Sequence, residues 1–180
     1  MPACRRVTGE AMARTSAGVL LYRFAPGDVV EVLIVHPGGP FWAKKDLGAW
    51  SVPKGEYAEG EDPAAAADRE FAEELGTPPP VGPRLDLGEV TQRGGKRVRV
   101  FAVEGELDVT SVTSNTFEME WPPGSKRLIG VAEIDRAAWE TVAGAHRRLL
   151  EGQTPFLDRL MASLAGAGRT PPVEGAVDPG

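Results

Sequence analysis

The chain offers little sulfur or imidazole chemistry. Its single cysteine, Cys4, lies in a polar N-terminal segment, so no intramolecular disulfide can form and a reducing, cytoplasmic setting is expected. The two histidines, His36 and His146, have neither paired metal-ligand spacing nor a nearby Ser or Cys partner, which leaves zinc and triad chemistry without a basis. Long apolar runs are also missing. Arg5 and Arg6 are followed by "VTGEAMAR", which contains Glu10 and no hydrophobic stretch, so neither a signal peptide nor a membrane span is expected. Positive charge is in deficit: the formal net charge of -6 argues against non-specific binding to a nucleic-acid backbone or an anionic membrane. Gly38, Gly39, Gly94 and Gly95 form no Walker or dinucleotide fingerprint and read as turns.

What is present fits one domain. A chain of 180 residues can build one proper core and is short for two. Residues 1–15 read as a flexible tail, with Met12 as a natural second beginning, and the Gly- and Pro-rich residues 166–180 as another. Between them, residues 16–165 carry the pattern of a folded domain. "AGVLLYRF" and "VVEVLIVH" are strand candidates joined by the turn "APGD". A loop, "PGGPFWAKKDLGA", leads to "WSVPKG". The first helix is well marked: Asp62 suits the N-cap, Pro63 the first helical position and Gly76 the end, and Pro78, Pro79 and Pro80 forbid continuation. Further strands are expected at "LGEVTQ" and "RVRVFAVEGE" across a Gly-Gly turn, and helices near 135–151 and 155–165. Mixed strands with a central helix and late helices indicate an α/β or α+β sandwich.

The first helix raises a physical problem. Glu70, Glu73 and Glu74 stand at i, i+3 and i+4, so Glu70 shares a face with both others. Like charges at these spacings cost about 0.2–0.5 kcal/mol per exposed pair, and acids near a helix C-terminus oppose its dipole. Partly buried, two such charges about 6 Å apart repel by roughly 3 kcal/mol at an effective dielectric near 20. A hard divalent cation with oxygen ligands removes that repulsion, and Mg²⁺ in particular shares its coordination with substrate phosphates. A solvated acidic face is the alternative for an arbitrary Glu-rich helix.

The wider spacing decides between them. Gly55, five residues, Glu61, seven residues, and then Arg69-Glu70-Phe71-Ala72-Glu73-Glu74-Leu75-Gly76 resembles the signature box of the Nudix hydrolases. Thr77 departs from it by standing where the family places an aliphatic residue. The resemblance implies a Nudix-type α/β/α sandwich with a mixed β-sheet, and a loop-helix-loop that binds Mg²⁺ or Mn²⁺. It implies that Gly55 offers a backbone carbonyl and Glu70, Glu73 and Glu74 offer carboxylates to the metal. It further implies that Arg69 orients the acids and Glu61 supports them from the loop. The activity implied is hydrolysis of a phosphoanhydride bond in a nucleotide or related small molecule by water attack at phosphorus.

The flanking segments refine the expectation. "WSVPKG" resembles a Trp-x-x-Pro-Lys-Gly segment of the diadenosine polyphosphate hydrolase branch, which places Lys54 on a substrate phosphate as a point charge. Glu56 stands where that branch continues with His. Glu133, six residues before Trp139, echoes a distal acid of the branch and is a candidate base, as Glu70 is. Glu118 and Glu120, alternating on a possible strand, are rivals. Phe41 or Trp42 could stack on a base, helped by Lys44 and Lys45. A dinucleoside polyphosphate of the diadenosine tetraphosphate type is the first substrate expectation and a nucleoside triphosphate the second. A non-catalytic nucleotide-sensing Nudix domain and an RNA 5'-end pyrophosphohydrolase are the alternatives, the latter resting on the basic residues Arg93, Lys96, Arg97 and Arg99.

Overall fold

The structure is a computed structural model that describes residues 14–168. Cys4, Met12 and most of the two expected tails lie outside the described residues. The chain opens with strands β1 (Thr15–Ala25) and β2 (Val29–Pro37), which form an antiparallel hairpin. Their turn uses Gly27 and Asp28 at positive φ, a conformation open to Gly and tolerated by Asp. A loop through Ala49 and Trp50 returns the chain to β3 (Lys54–Glu56), which pairs with the start of β1 at Ser16, Ala17 and Gly18. This crossing is close. A side chain at Gly18 would collide with the Pro53 carbonyl and with Lys54, so glycine is required there.

The helix α1 (Pro63–Leu75) follows, with Asp62 accepting the Ala65 N–H and Gly76 in the left-handed conformation at its end. Next come β4 (Arg84–Thr91) and β5 (Arg97–Glu104), an antiparallel pair whose second strand runs parallel to β1 through its whole length. A separate ribbon, β6 (Thr116–Glu120) and β7 (Leu128–Ala132), precedes β8 (Ile134–Thr141), which pairs antiparallel with β2. Two helices, α2 (Val142–Arg148) and α3 (Pro155–Gly166), close the described chain. The main sheet runs β4-β5-β1-β2-β8, with β3 lying beside β1. None of the described helices is long and apolar enough to cross a membrane.

Residues alternate across a strand, and the buried residues of β1 divide accordingly. Ala17, Val19 and Leu21 face α1 with Phe71 and Leu75, whereas Leu20 and Tyr22 face the other layer with Leu149, Phe156 and Leu160. The result is the expected α/β/α sandwich with a mixed sheet. One expectation is corrected: residues 135–141 form β8, not the start of a helix. Ala138 packs into one core layer while Ala137 and Trp139 pack into the other, so a strand covered on both faces presents a run of apolar residues that also suits a helix. The open edge of β2, paired from Glu31 to Pro37, decides for the strand.

Phe71 is fully buried beneath α1. Phe71→Ala should lower the unfolding free energy by about 3–5 kcal/mol, measured by chemical denaturation, because it opens a cavity between helix and sheet.

Candidate active site

The site forms where β3 runs under α1. Gly55 lies against the carboxylate of Glu70 so closely that any Cβ there would collide with Oε1, Oε2 and Cδ of that side chain. Lys54 donates its backbone N–H to Glu74 Oε2 at 2.9 Å. Arg69 is the local counter-charge: it reaches Glu70 Oε1 at 2.6 Å, Glu61 Oε1 at 3.1 Å and Glu73 Oε1 at 3.6 Å. Glu61 also accepts the Ala58 N–H at 3.1 Å, which folds the loop that precedes the helix. Arg69 thus links the loop residue Glu61 to two of the acids on α1.

The electrostatics are unfavourable for so many ionised acids. Burial pushes Glu70 above the usual carboxylate range, and the charges of Glu73 and Glu133 push it further, against the pull of Arg69. Glu74 is raised to about 7, first by burial and then by Glu70 and Glu133, with Lys54 opposing. Lys54 is lowered, chiefly by burial and also by the charge of Lys96, while Glu74 works the other way. Desolvation therefore outweighs the attraction between Lys54 and Glu74 at both partners.

This arrangement suits a divalent cation. The carboxylates of α1, two of them raised first by burial and then by neighbouring negative charge, gain from added positive charge, and β3 brings Gly55 directly against one of them. Among the described residues, no three acidic, histidine or cysteine side chains already form a closed ligand set. The carboxylates of Glu70 and Glu74 are engaged by Arg69 and by the Lys54 N–H instead.

The distal candidates separate clearly. Glu133, between β7 and β8, is exposed, and its carboxylate makes no hydrogen bond or ion pair among the described residues, yet its charge acts on both Glu70 and Glu74. Glu120 instead accepts the Lys126 N–H at 2.7 Å in the turn of the β6–β7 ribbon. Glu118 is exposed on the same ribbon. Trp139 donates its indole N–H to the Leu107 carbonyl at 3.0 Å and lies under Arg23, a structural setting. Trp42 is half-buried against the core with Lys45 Nζ 4.8 Å from its ring, and Lys44 is exposed. No hydrogen bond, ion pair or ring contact joins either side chain to the acids among the described residues.

Two basic residues stand beside the site in a way no sequence pattern indicated: Arg14, and Lys96, which was weighed only as part of an RNA surface. Lys96 Nζ lies 3.7 Å and Arg14 3.8 Å from Glu56 Oε1, because the β1–β5 and β1–β3 registers bring Arg97, Thr15 and Glu56 to the same end of the sheet. A cleft of about 590 Å³ opens there, between Arg14, Tyr57 and Arg97. Of the basic residues weighed as an RNA surface, Arg97 is paired with Glu89 at 2.6 Å and Arg99 with Asp86.

A model of the NUDIX domain matches residues 12–161. No curated protein sequence matches the chain. Among solved structures, the chain resembles the NUDIX domain of Shewanella oneidensis NrtR complexed with ADP ribose, at 16% identity and TM-score 0.59, over 84% of this chain and 88% of that one. It also resembles a C. elegans Ap4A hydrolase in a binary complex, at 21% identity and TM-score 0.56, over 84% and 98%. A MutT protein from Methanosarcina mazei gives 17% identity and TM-score 0.53, over 84% and 94%. At these identities the likeness is one of fold.

Glu74→Gln provides a test of the site's electrostatics. A carboxyl raised in the folded state binds its proton more tightly there than in the unfolded chain, so metal-free stability falls as pH rises from about 4.5 to about 7 and stays low above. Glutamine keeps an acceptor for the Lys54 N–H and carries no charge. In chelator, the variant should gain on the order of 2 kcal/mol at pH about 8 and little at pH about 4.5, read by thermal denaturation.

Proposed function

The chain belongs to the Nudix family and is a hydrolase of phosphoanhydrides, and on that premise we propose that it is a Mg²⁺- or Mn²⁺-dependent pyrophosphohydrolase acting on a nucleotide. A dinucleoside polyphosphate of the diadenosine tetraphosphate type is the first substrate and a nucleoside triphosphate the second. The observation that carries this reading is the carboxylate group of α1 pressed against Gly55, with Lys54 and Lys96 as cations beside it. Glu70, Glu73 and Glu74, with the Gly55 carbonyl, would hold the metal. When bound there, Mg²⁺ would polarise a phosphoryl oxygen and offset the negative charge that develops on it.

The rest of the work falls to the chain's own groups. Arg69 keeps Glu70 oriented through a charge-assisted hydrogen bond from Nη1, with Glu73 in ion-pair range of the same nitrogen, while Nη2 holds Glu61. Lys54, on the short strand beneath the acids, takes a phosphate oxygen as a point charge. Between the two candidate bases, Glu133 is the freer, since Arg69 already occupies Glu70. We therefore assign proton removal from the attacking water to Glu133 and a ligand role to Glu70. The cleft of about 590 Å³ beside Glu56 has the size of a small-ligand site, roughly 300–1000 Å³. The structural likeness to proteins described as an Ap4A hydrolase and a MutT protein supports the substrate class. The internal pairing of Arg97 and Arg99 leaves less free positive charge for a polynucleotide.

The two acids should fail differently. Glu133→Gln should lower kcat by about 10²–10³ with Mn²⁺ affinity retained, whereas Glu70→Gln should lower both, read by steady-state kinetics and by calorimetric metal titration. Product mass spectrometry in ¹⁸O-labelled water across a nucleotide panel identifies the substrate and the bond cleaved. Tight binding without turnover across that panel would favour a nucleotide-sensing domain instead.

A further inference from the structure

A histidine at the end of β2 takes no part in the site described above. His36 is fully buried, with Nδ1 2.8 Å from Asp135 Oδ1 and Nε2 2.8 Å from the backbone carbonyl oxygen of Lys45. Both neighbours are acceptors. A neutral imidazole has one N–H and one lone pair, so either tautomer would set a lone pair against an acceptor at hydrogen-bond distance. Such a mismatch in a place closed to water is strongly disfavoured. A hydroxyl on Asp135 Oδ1 would resolve it, but that oxygen also accepts the Arg136 Nε–H at 3.4 Å and so faces the ring as an acceptor. The third neighbour is the Trp50 ring, edge-on at 5.1 Å, which carries the Arg136 and Arg148 guanidinium groups 5.3 Å from its centre. The geometry calls for N–H groups on both ring nitrogens of His36.

Three segments meet at this ring. His36 belongs to β2, Asp135 to the start of β8, and Lys45 to the loop of residues 38–49 that carries Trp42 and Lys44. The same loop is tied at its first residue, where the Gly38 N–H donates to the Glu133 carbonyl at 3.0 Å, and near its end, where Trp50 donates to Asp46 at 2.8 Å. Lys45 is the point between those ties at which a side chain grips the backbone. Asp135 stands two residues beyond Glu133, so one buried ring links the loop to the strand that positions the distal acid.

We propose that His36 is a positioning residue that donates from both ring nitrogens and holds the loop of residues 38–49 in fixed register with Glu133. Its effect on turnover rests on the hydrolase reading above; the tie itself does not. Side-chain ¹⁵N spectra of the metal-free protein at pH about 7.5 should show a proton on each nitrogen of His36. Asp135→Asn, whose amide can donate to Nδ1, should convert the ring to the neutral form while the loop keeps its place. In His36→Gln, amide hydrogen exchange at residues 43–48 should quicken about tenfold, with β1, β5 and α1 unchanged. Kinetically, His36→Gln should raise KM about tenfold with kcat within about threefold of wild type, whereas Asp135→Asn should keep KM within about twofold of wild type.

A wild-type ring with one unprotonated nitrogen would overturn the proposal. Unchanged loop exchange in His36→Gln, or acceleration spread equally over β1 and β5, would overturn it as well, the latter as the mark of simple packing. Should His36→Gln fail to fold, the wild-type and Asp135→Asn spectra and loop exchange decide the matter alone. If wild type hydrolyses no member of the nucleotide panel, the substrate reading fails while the spectra and exchange rates still decide the tie.

Discussion

Repulsion among carboxylates is the constraint around which this domain is arranged. Glu70, Glu73, Glu74 and Glu133 act on one another across a partly dehydrated space, and the protein supplies only partial relief. Arg69 is a single charge shared among three acids, and Lys54 is itself weakened by burial. A fold optimised for stability alone would replace at least one of these groups with a neutral residue. Retaining them all leaves an unbalanced negative field beside a cleft, the condition under which a cation and the phosphates attached to it are drawn in together.

The sandwich makes that tension sustainable. The acids lie on a helix whose opposite face is anchored by Phe71 and Leu75 in the core and whose ends are fixed by Asp62 and Gly76. Below it, the short strand bearing Lys54 and Gly55 is pinned to the start of β1. Neither element can move aside to relax the charges without breaking sheet pairing or opening the core. Rigidity of this kind is what lets a binding site store electrostatic strain.

Much of this was legible in the residues themselves. Asp62, Pro63 and Gly76 announced the helix by local chemistry, and the spacing from Gly55 through Glu61 to Arg69 and Glu74 announced the site, since helical periodicity converts sequence distance directly into direction. What could not be read was anything decided by strand register. Lys96 and Arg14 approach Glu56 only because β5 runs parallel to β1 and β3 antiparallel to it, and no short pattern encodes either pairing. Residues 135–141 were misleading for a related reason: a strand covered on both faces loses its alternation and resembles a helix. His36 offered no motif at all, because its two partners lie 9 residues away on the loop and 99 residues away at the head of β8.

The way β1 shares its flank has a consequence for how such an enzyme can change. Its first residues pair with β3 and its last with β2, so the sheet forks, and the segment bridging the fork leaves and re-enters without supplying a strand of its own. Insertions or deletions in that bridge would leave the charged helix and its support undisturbed. Length changes confined to the exposed part of that bridge can therefore accumulate without breaking the pairing of β3 with β1 or the packing of α1, so the surface beside the charged helix can be remodelled while the helix and the strand beneath it persist.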